Sequence, residues 1–147
     1  MYAGGSTGLA TLRRDGFASM DAGPAEGLLT TRPVLFNGNH LFVNANASGG
    51  KLTAELLDAD GKVLPGFARN ECRPVEADGT CQQVSWRRSD DLSAFRGRPL
   101  SLRFHAVRTQ LFAFWISPDK SGASHGYVAA GGPGFTGPTD TVGTQRA

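Results

Sequence analysis

At 147 residues the chain is long enough for one domain with a substantial core, and its 39% apolar content, 20 glycines and 8 prolines point to short strands joined by many turns. Its net charge is only +2 and its basic residues are spread along the chain, with Arg87-Arg88 the densest cluster, so a concentrated nucleic-acid-binding face is not expected. No apolar run approaches the ~20 residues that a membrane span needs.

In chain order, residues 1–10 read as a linker or the last strand of a preceding domain. Met1 runs straight into Tyr2-Ala3-Gly4, without a signal-peptide pattern. The stretch "LRRDGFASMDAG" follows, with Arg13, Arg14 and Asp15 together. These charges either face a neighbouring domain or form the solvated start of a strand. Asp21 is a candidate calcium ligand, the one cofactor expectation the sequence raises.

Residues 11–120 carry strand signals. In "HLFVNAN", Leu41, Val43 and Ala45 alternate with Phe42, Asn44 and Asn46. "KLTAELLDADGKVLPGF" reads as a strand with Leu52, Ala54 and Leu56 inward, a tight Asp60-Gly61 turn, and a returning strand. "RPVEADGT" predicts a hairpin turn at Asp78-Gly79. "CQQVSWRR" places Val84 and Trp86 on one face. "SDDLSAFRGRP" fits one helical turn, capped by Ser89 or Asp90 and ended by Gly97. In "PLSLRFHAV", Leu100, Leu102, Phe104 and Ala106 oppose Ser101, Arg103 and His105. "QLFAFWIS" is apolar on both faces, as in a central strand. Seven or more short strands argue for an all-β, antiparallel β-sandwich of jelly-roll type. Residues 121–147 form an extended Gly-rich tail, in which Tyr127, Val128 and Phe135 favour packing on the sandwich or on a neighbour.

The candidate chemistry is sparse. Cys72 and Cys81 flank the predicted 78–79 turn and can either form a disulfide across it or remain reduced on neighbouring strands. A glycosidase needs two facing carboxylates. Here Asp60 and Asp78 each precede glycine as turn residues do, and Asp90-Asp91 sits at the expected cap. The histidines lack metal spacing, and Gly131-Gly132-Pro133-Gly134 lacks the lysine and helix of a phosphate loop. Sugar binding is the sharper reading: Trp86 beside Arg87 and Arg88, or Asn44 and Asn46, could form an aromatic and polar platform. Against it, Trp86 shares a face with Val84 and fits a core position, and the asparagines can simply end their strand.

Several segments in succession, "LATLRRDGFASMDAG", "GLLTTRPVLFNGNHLFVNAN", "LTAELLDADGKVLPGF", "DLSAFRGRPLSLRFHAVRTQLFAFWIS" and "SHGYVAAGGPGFTGP", resemble the C-terminal concanavalin-like β-sandwich that follows a β-propeller in bacterial, planctomycete-like glycoside-hydrolase-like proteins of the invertase, arabinanase and sialidase type. The resemblance implies a non-catalytic accessory domain, since the family's catalytic carboxylates belong to the propeller. It also implies that Met1 marks a cut or an internal start. The partners it implies are the preceding propeller and a polysaccharide, in a parent protein that is secreted or periplasmic. An autonomous carbohydrate-binding module and a purely structural domain are the alternatives.

Overall fold

The alternation of apolar and polar residues resolves into two antiparallel sheets packed face to face. The computed structural model describes residues 4–127 and 137–140. Its strands are β1 (Met20–Ala22), β2 (Gly27–Thr30), β3 (His40–Asn46), β4 (Lys51–Leu57), β5 (Asp78–Val84), β6 (Ser101–Val107) and β7 (Thr109–Ser117). One sheet has the order β1-β7-β3-β5 and the other β2-β6-β4, with every neighbouring pair antiparallel.

The period-two pattern decides the core. Leu41, Val43 and Ala45 of β3 face Leu52, Ala54 and Leu56 of β4 and Leu102 and Phe104 of β6, all buried in one cluster. β7 is an interior strand, as its continuous apolar run requires. Its Leu111, Phe114 and Ile116 join the core, while Trp115 pairs across the sheet with Phe42 and stacks on it at 5.7 Å. At one end of the sandwich Phe67 meets Trp86 and Phe95 edge-on, with centroids 5.1 and 5.2 Å apart.

Three local expectations change. Asp78-Gly79 is not a turn but the start of β5, paired with Asn46 and Ala45. The Gln82 side chain folds over Gly79, where a Cβ would lie 2.8 Å from Gln82 Cγ, so the glycine serves a close approach rather than a turn. The turn at Asp58–Gly61 forms as expected, with Gly61 at φ +78° and Asp58 Oδ1 accepting the Asp60 and Lys62 N–H groups at 2.9 Å. The strand expected after it is reduced to a bridge between Leu57 and Val63, because the chain turns at once. Leu64 N–H still donates to Leu56 O at 2.9 Å, but Phe67 N–H closes a turn onto Leu64 O with Gly66 at φ +86°, and Leu56 N–H goes to Phe67 O instead. The helical turn is 3-10 and spans Ser93–Phe95. Leu92, not Ser89 or Asp90, is its N-cap, and the side chain before it, Asp91 Oδ1, accepts the Ser93 N–H at 2.7 Å.

The β3–β4 and β6–β7 connections both cross between sheets at the same end and stack on each other. A Cβ on Gly50 would lie 1.8 Å from the Val107 carbonyl oxygen, whereas one on Gly49 meets only Arg108 O at 3.9 Å. Gly50→Ala is therefore expected to cost at least about 2 kcal/mol in urea unfolding, and Gly49→Ala close to nothing. Equal midpoints for the two variants would contradict this packing of the corners.

Candidate functional site

Two places gather polar side chains that a strand face would otherwise leave in water. The first centres on Asn44, in the middle of β3. Val43 pairs with Gln82 and Ala45 with Gly79, so Thr80 and Cys81 together oppose Asn44. On the other side Asn44 pairs with Ala113 and Ala45 with Leu111, leaving Phe112 as an extra residue. Two bulges at one level bend the sheet and redirect side chains there.

The N-terminal segment lies across this bend. Arg13 Nε donates to Asn44 Oδ1 and Asn44 Nδ2 donates to the Arg14 carbonyl, both at 2.5 Å. Arg13 also donates to Asp78 Oδ1 at 2.6 Å and Ala45 O at 3.3 Å, with its guanidinium 4.7 Å from the Phe112 ring centre. Arg14 donates to Asp140 Oδ2 at 2.6 Å, an oxygen that also accepts Ser124 N–H and O–H at 3.0 and 2.9 Å. Segments from the two ends of the chain are thus tied together on one sheet face. Residues 121–124 are stitched down as well: Trp115 Nε1 donates to Gly122 O at 2.9 Å and Ser117 Oγ to Ala123 O at 2.5 Å. Gly122, at φ +84°, lets this segment lie against Cys81 and Phe42.

Asp140 is only 1% exposed. Burial pushes its pKa up, but the Ser124 N–H, the Arg14 guanidinium and the Ser124 hydroxyl outweigh that and hold it at about 2. A depressed carboxylate stabilises the fold fully above its unfolded value near 4, and this contribution is lost as pH falls towards 2. Wild-type stability is expected to drop by up to about 2 kcal/mol across that window through this group, and Asp140→Asn should flatten that part of a pH series of urea midpoints. An unchanged acid limb in the variant would exclude Asp140 as its source.

The second place is a groove lined by Arg73, Gln83, Ser85, Trp86, Arg87, Arg88, Ser89 and Asp90. The Cys72–Trp86 bridge and the Arg73 N–H to Ser85 O bond (2.9 Å) set Arg73 beside the 86–89 turn, which the Trp86 N–H to Ser89 O bond closes at 3.0 Å. Asp90 Oδ2 accepts Gln83 Nε2 at 3.1 Å. Among the described residues, no ion pair engages Arg73, Arg87 or Arg88.

The sequence-predicted site residues divide between these places. Trp86 is no exposed platform: it is 2% exposed, its ring lies in the core, and Nε1 donates to Ala54 O at 3.0 Å. Arg87 and Arg88 are exposed in the groove. Asn44, 1% exposed, is covered by the arginines and is not open to a sugar, and it lies on the outer face of its sheet whereas Trp86 points inward. Asn46 Oδ1 instead closes the β3–β4 turn by accepting Ser48 N–H and O–H. Arg13 and Arg14 bind their own sandwich, while Asp15 is exposed at φ +48°. Asp21 is exposed, accepting from Ser19 Oγ and Gln110 Nε2. Among the described residues, no group of three His, Cys, Asp or Glu could hold a metal ion.

Of the two states left open for the cysteines, the structure has both as free thiols. Cys72 Sγ lies buried against the Ala54 N–H at 3.3 Å, while Cys81 Sγ faces Ser121 O at 3.8 Å under the C-terminal segment. Moving the turn away from 78–79 removes the juxtaposition that a bridge needs. Burial raises the pKa of both thiols, so neither is poised as a thiolate nucleophile. Of the tail, Ala123 is buried and Tyr127 is exposed, bridged to Thr139. Val128, Phe135 and Gly131-Gly132-Pro133-Gly134 lie outside the described residues.

One cluster escaped the sequence reading. On the outer face of the second sheet, buried Glu55 accepts from Arg103 Nη1 at 2.9 Å, and His105 lies between Glu55 and Glu26, 3.3 Å from each. Arg69 grips Glu26 with both Nη atoms. Hydrogen bonding to His105, then the charges of Arg69 and His105, lower the Glu26 pKa. The polar alternation of Arg103 and His105 was the available signal, but their partners come from other strands and loops.

Among the described residues no helix is long and apolar enough to cross a membrane. Comparison with protein-family models, curated proteins and solved structures finds no match to this chain.

Proposed function

We propose that the chain is a non-catalytic accessory sandwich of jelly-roll type that braces a preceding propeller domain of a glycoside-hydrolase-like protein through its β1–β2 edge. The observation that carries this reading is the open side of the sandwich. There a cleft lined by Met20, Ala22, Leu28, Leu29, Phe104 and Leu111 reaches the core. Met20 and Leu28 at its rim are 60% and 64% exposed, and nearby in sequence Phe17 is 90% exposed. Exposed apolar surface of this kind marks an interaction site.

The carboxylates support a non-catalytic role. Asp58 and Asp91 hold turns, Asp78 and Asp140 hold the terminal segments, and Glu26 and Glu55 hold the second sheet. The apolar cleft carries one carboxylate, Asp21, and the arginine groove one, Asp90. Neither offers the facing pair that glycoside hydrolysis uses.

The test is co-expression of this chain with the domain encoded ahead of it, followed by size-exclusion chromatography. A 1:1 complex with wild type and its loss in Leu28→Asp supports the bracing role. No complex, or one indifferent to Leu28→Asp and Met20→Asp, overturns it. Hydrolysis of any glycoside by the isolated chain overturns the non-catalytic part.

A further inference from the structure

The arginine groove does not stand alone. Arg87 also lines a second groove formed with Lys51, Thr53, Arg69, Asn70, Cys72 and Pro74. The Arg87 N–H to Glu71 O bond at 2.8 Å fixes the shared residue between them. Together the two grooves carry Lys51, Arg69, Arg73, Arg87 and Arg88 against one carboxylate, Asp90. The whole chain carries only +2, so the remainder is net acidic and the cationic excess is concentrated on this strip. Arg69 is already held by Glu26, but among the described residues the other four cations have no ion pair.

We propose that this strip binds an extended acidic polysaccharide, with successive carboxylate or sulfate groups meeting Arg88 and Arg73 in one groove and Arg87 and Lys51 in the other. Guanidinium groups match such oxyanions with paired N–H donors. Gln83, Ser85, Ser89, Asn70 and Thr53 add the neutral donors and acceptors that sugar hydroxyls require. The buried Trp86 leaves no stacking platform in the strip, which disfavours single-stranded nucleic acid as the ligand. Two grooves sharing one arginine favour a polymer over a single anion, because linked contacts reinforce each other. This inference does not depend on the bracing role, which uses the opposite end of the chain's sheet order.

The test is calorimetric titration of the intact chain with polygalacturonate, heparin, a neutral glucan, galacturonic acid and a single-stranded oligonucleotide. Saturable binding to polygalacturonate or heparin is expected, weakening steeply with salt, with the monomer at least tenfold weaker. Arg87→Ala is expected to weaken polymer binding about tenfold or more, and Arg73→Ala and Arg88→Ala each severalfold. Lys120→Ala, outside both grooves, should leave binding unchanged while removing the same charge. Each variant is checked by its urea midpoint, and Arg87→Lys, which keeps charge but not the paired donors, should fall between wild type and Arg87→Ala. The proposal is overturned by no binding to either acidic polymer, by tighter binding to the oligonucleotide, or by equal losses in Arg87→Ala and Lys120→Ala.

Discussion

Replacing Asn44 with alanine is expected to release the N-terminal segment from the sandwich and cost about 2–4 kcal/mol. Asn44 both accepts from Arg13 Nε and donates to the Arg14 carbonyl, and it is buried. Alanine would leave a guanidinium N–H and a main-chain carbonyl without these partners at a half-covered site. Leaving such groups unmade costs more than the net value of the bonds themselves. Trypsin gives a direct readout, because its target bonds follow Arg13 and Arg14. Cleavage there should accelerate tenfold or more under native conditions, when local release dominates. Cleavage and unfolding midpoints both matching wild type would show that the segment is held without Asn44. Asp78→Ala, which removes one exposed partner of Arg13, should have a much smaller effect on both.

Trp86→Ala is expected to be the most destabilising single change, at about 3–5 kcal/mol. The ring fills the space between Ala54 and Phe67, and its Nε1 satisfies a buried carbonyl. The substitution opens a cavity and orphans that carbonyl at once. Trp86→Phe keeps most of the volume but still orphans Ala54 O, so it should lie between the two. Urea denaturation separates the three proteins. A midpoint for Trp86→Ala near wild type would mean that the ring is not part of the packed core. The same result bears on ligand binding: loss of any glycan affinity in Trp86→Ala would reflect a disturbed fold, so the arginine variants are the proper probes of the groove.

Much of this architecture was legible in the order of residues. Alternation in "HLFVNAN", "KLTAELL" and "PLSLRFHAV" placed Leu41, Leu52, Leu56, Leu102 and Phe104 inside, because side chains two apart on a strand share a face. The doubly apolar "QLFAFWIS" gave its strand an interior position, since both faces had to be covered. The shared face of Val84 and Trp86 also held. What period two cannot register is a single inserted residue, so the bulges opposite Asn44 were invisible, and the asparagine read as either part of a sugar-binding platform or the end of its strand.

The candidate site was less legible for a related reason. Local pattern says which way a side chain points, but not what comes to lie over it. Asn44 points away from the core and is nonetheless buried, because Arg13 and Arg14, some thirty residues earlier, settle on it. Asp78-Gly79 carries strong turn chemistry, yet pairing with β3 takes precedence. The sequence by itself determined the all-β class, the inward faces and the low overall charge. Only the tertiary structure decided that Arg13 and Arg14 are used internally, that the two cysteines stay apart, and that Arg73, Arg87 and Lys51 share one strip. Those outcomes rest on long-range hydrogen bonds and chain crossings, which form only when remote segments pack and each buried polar group finds its partner.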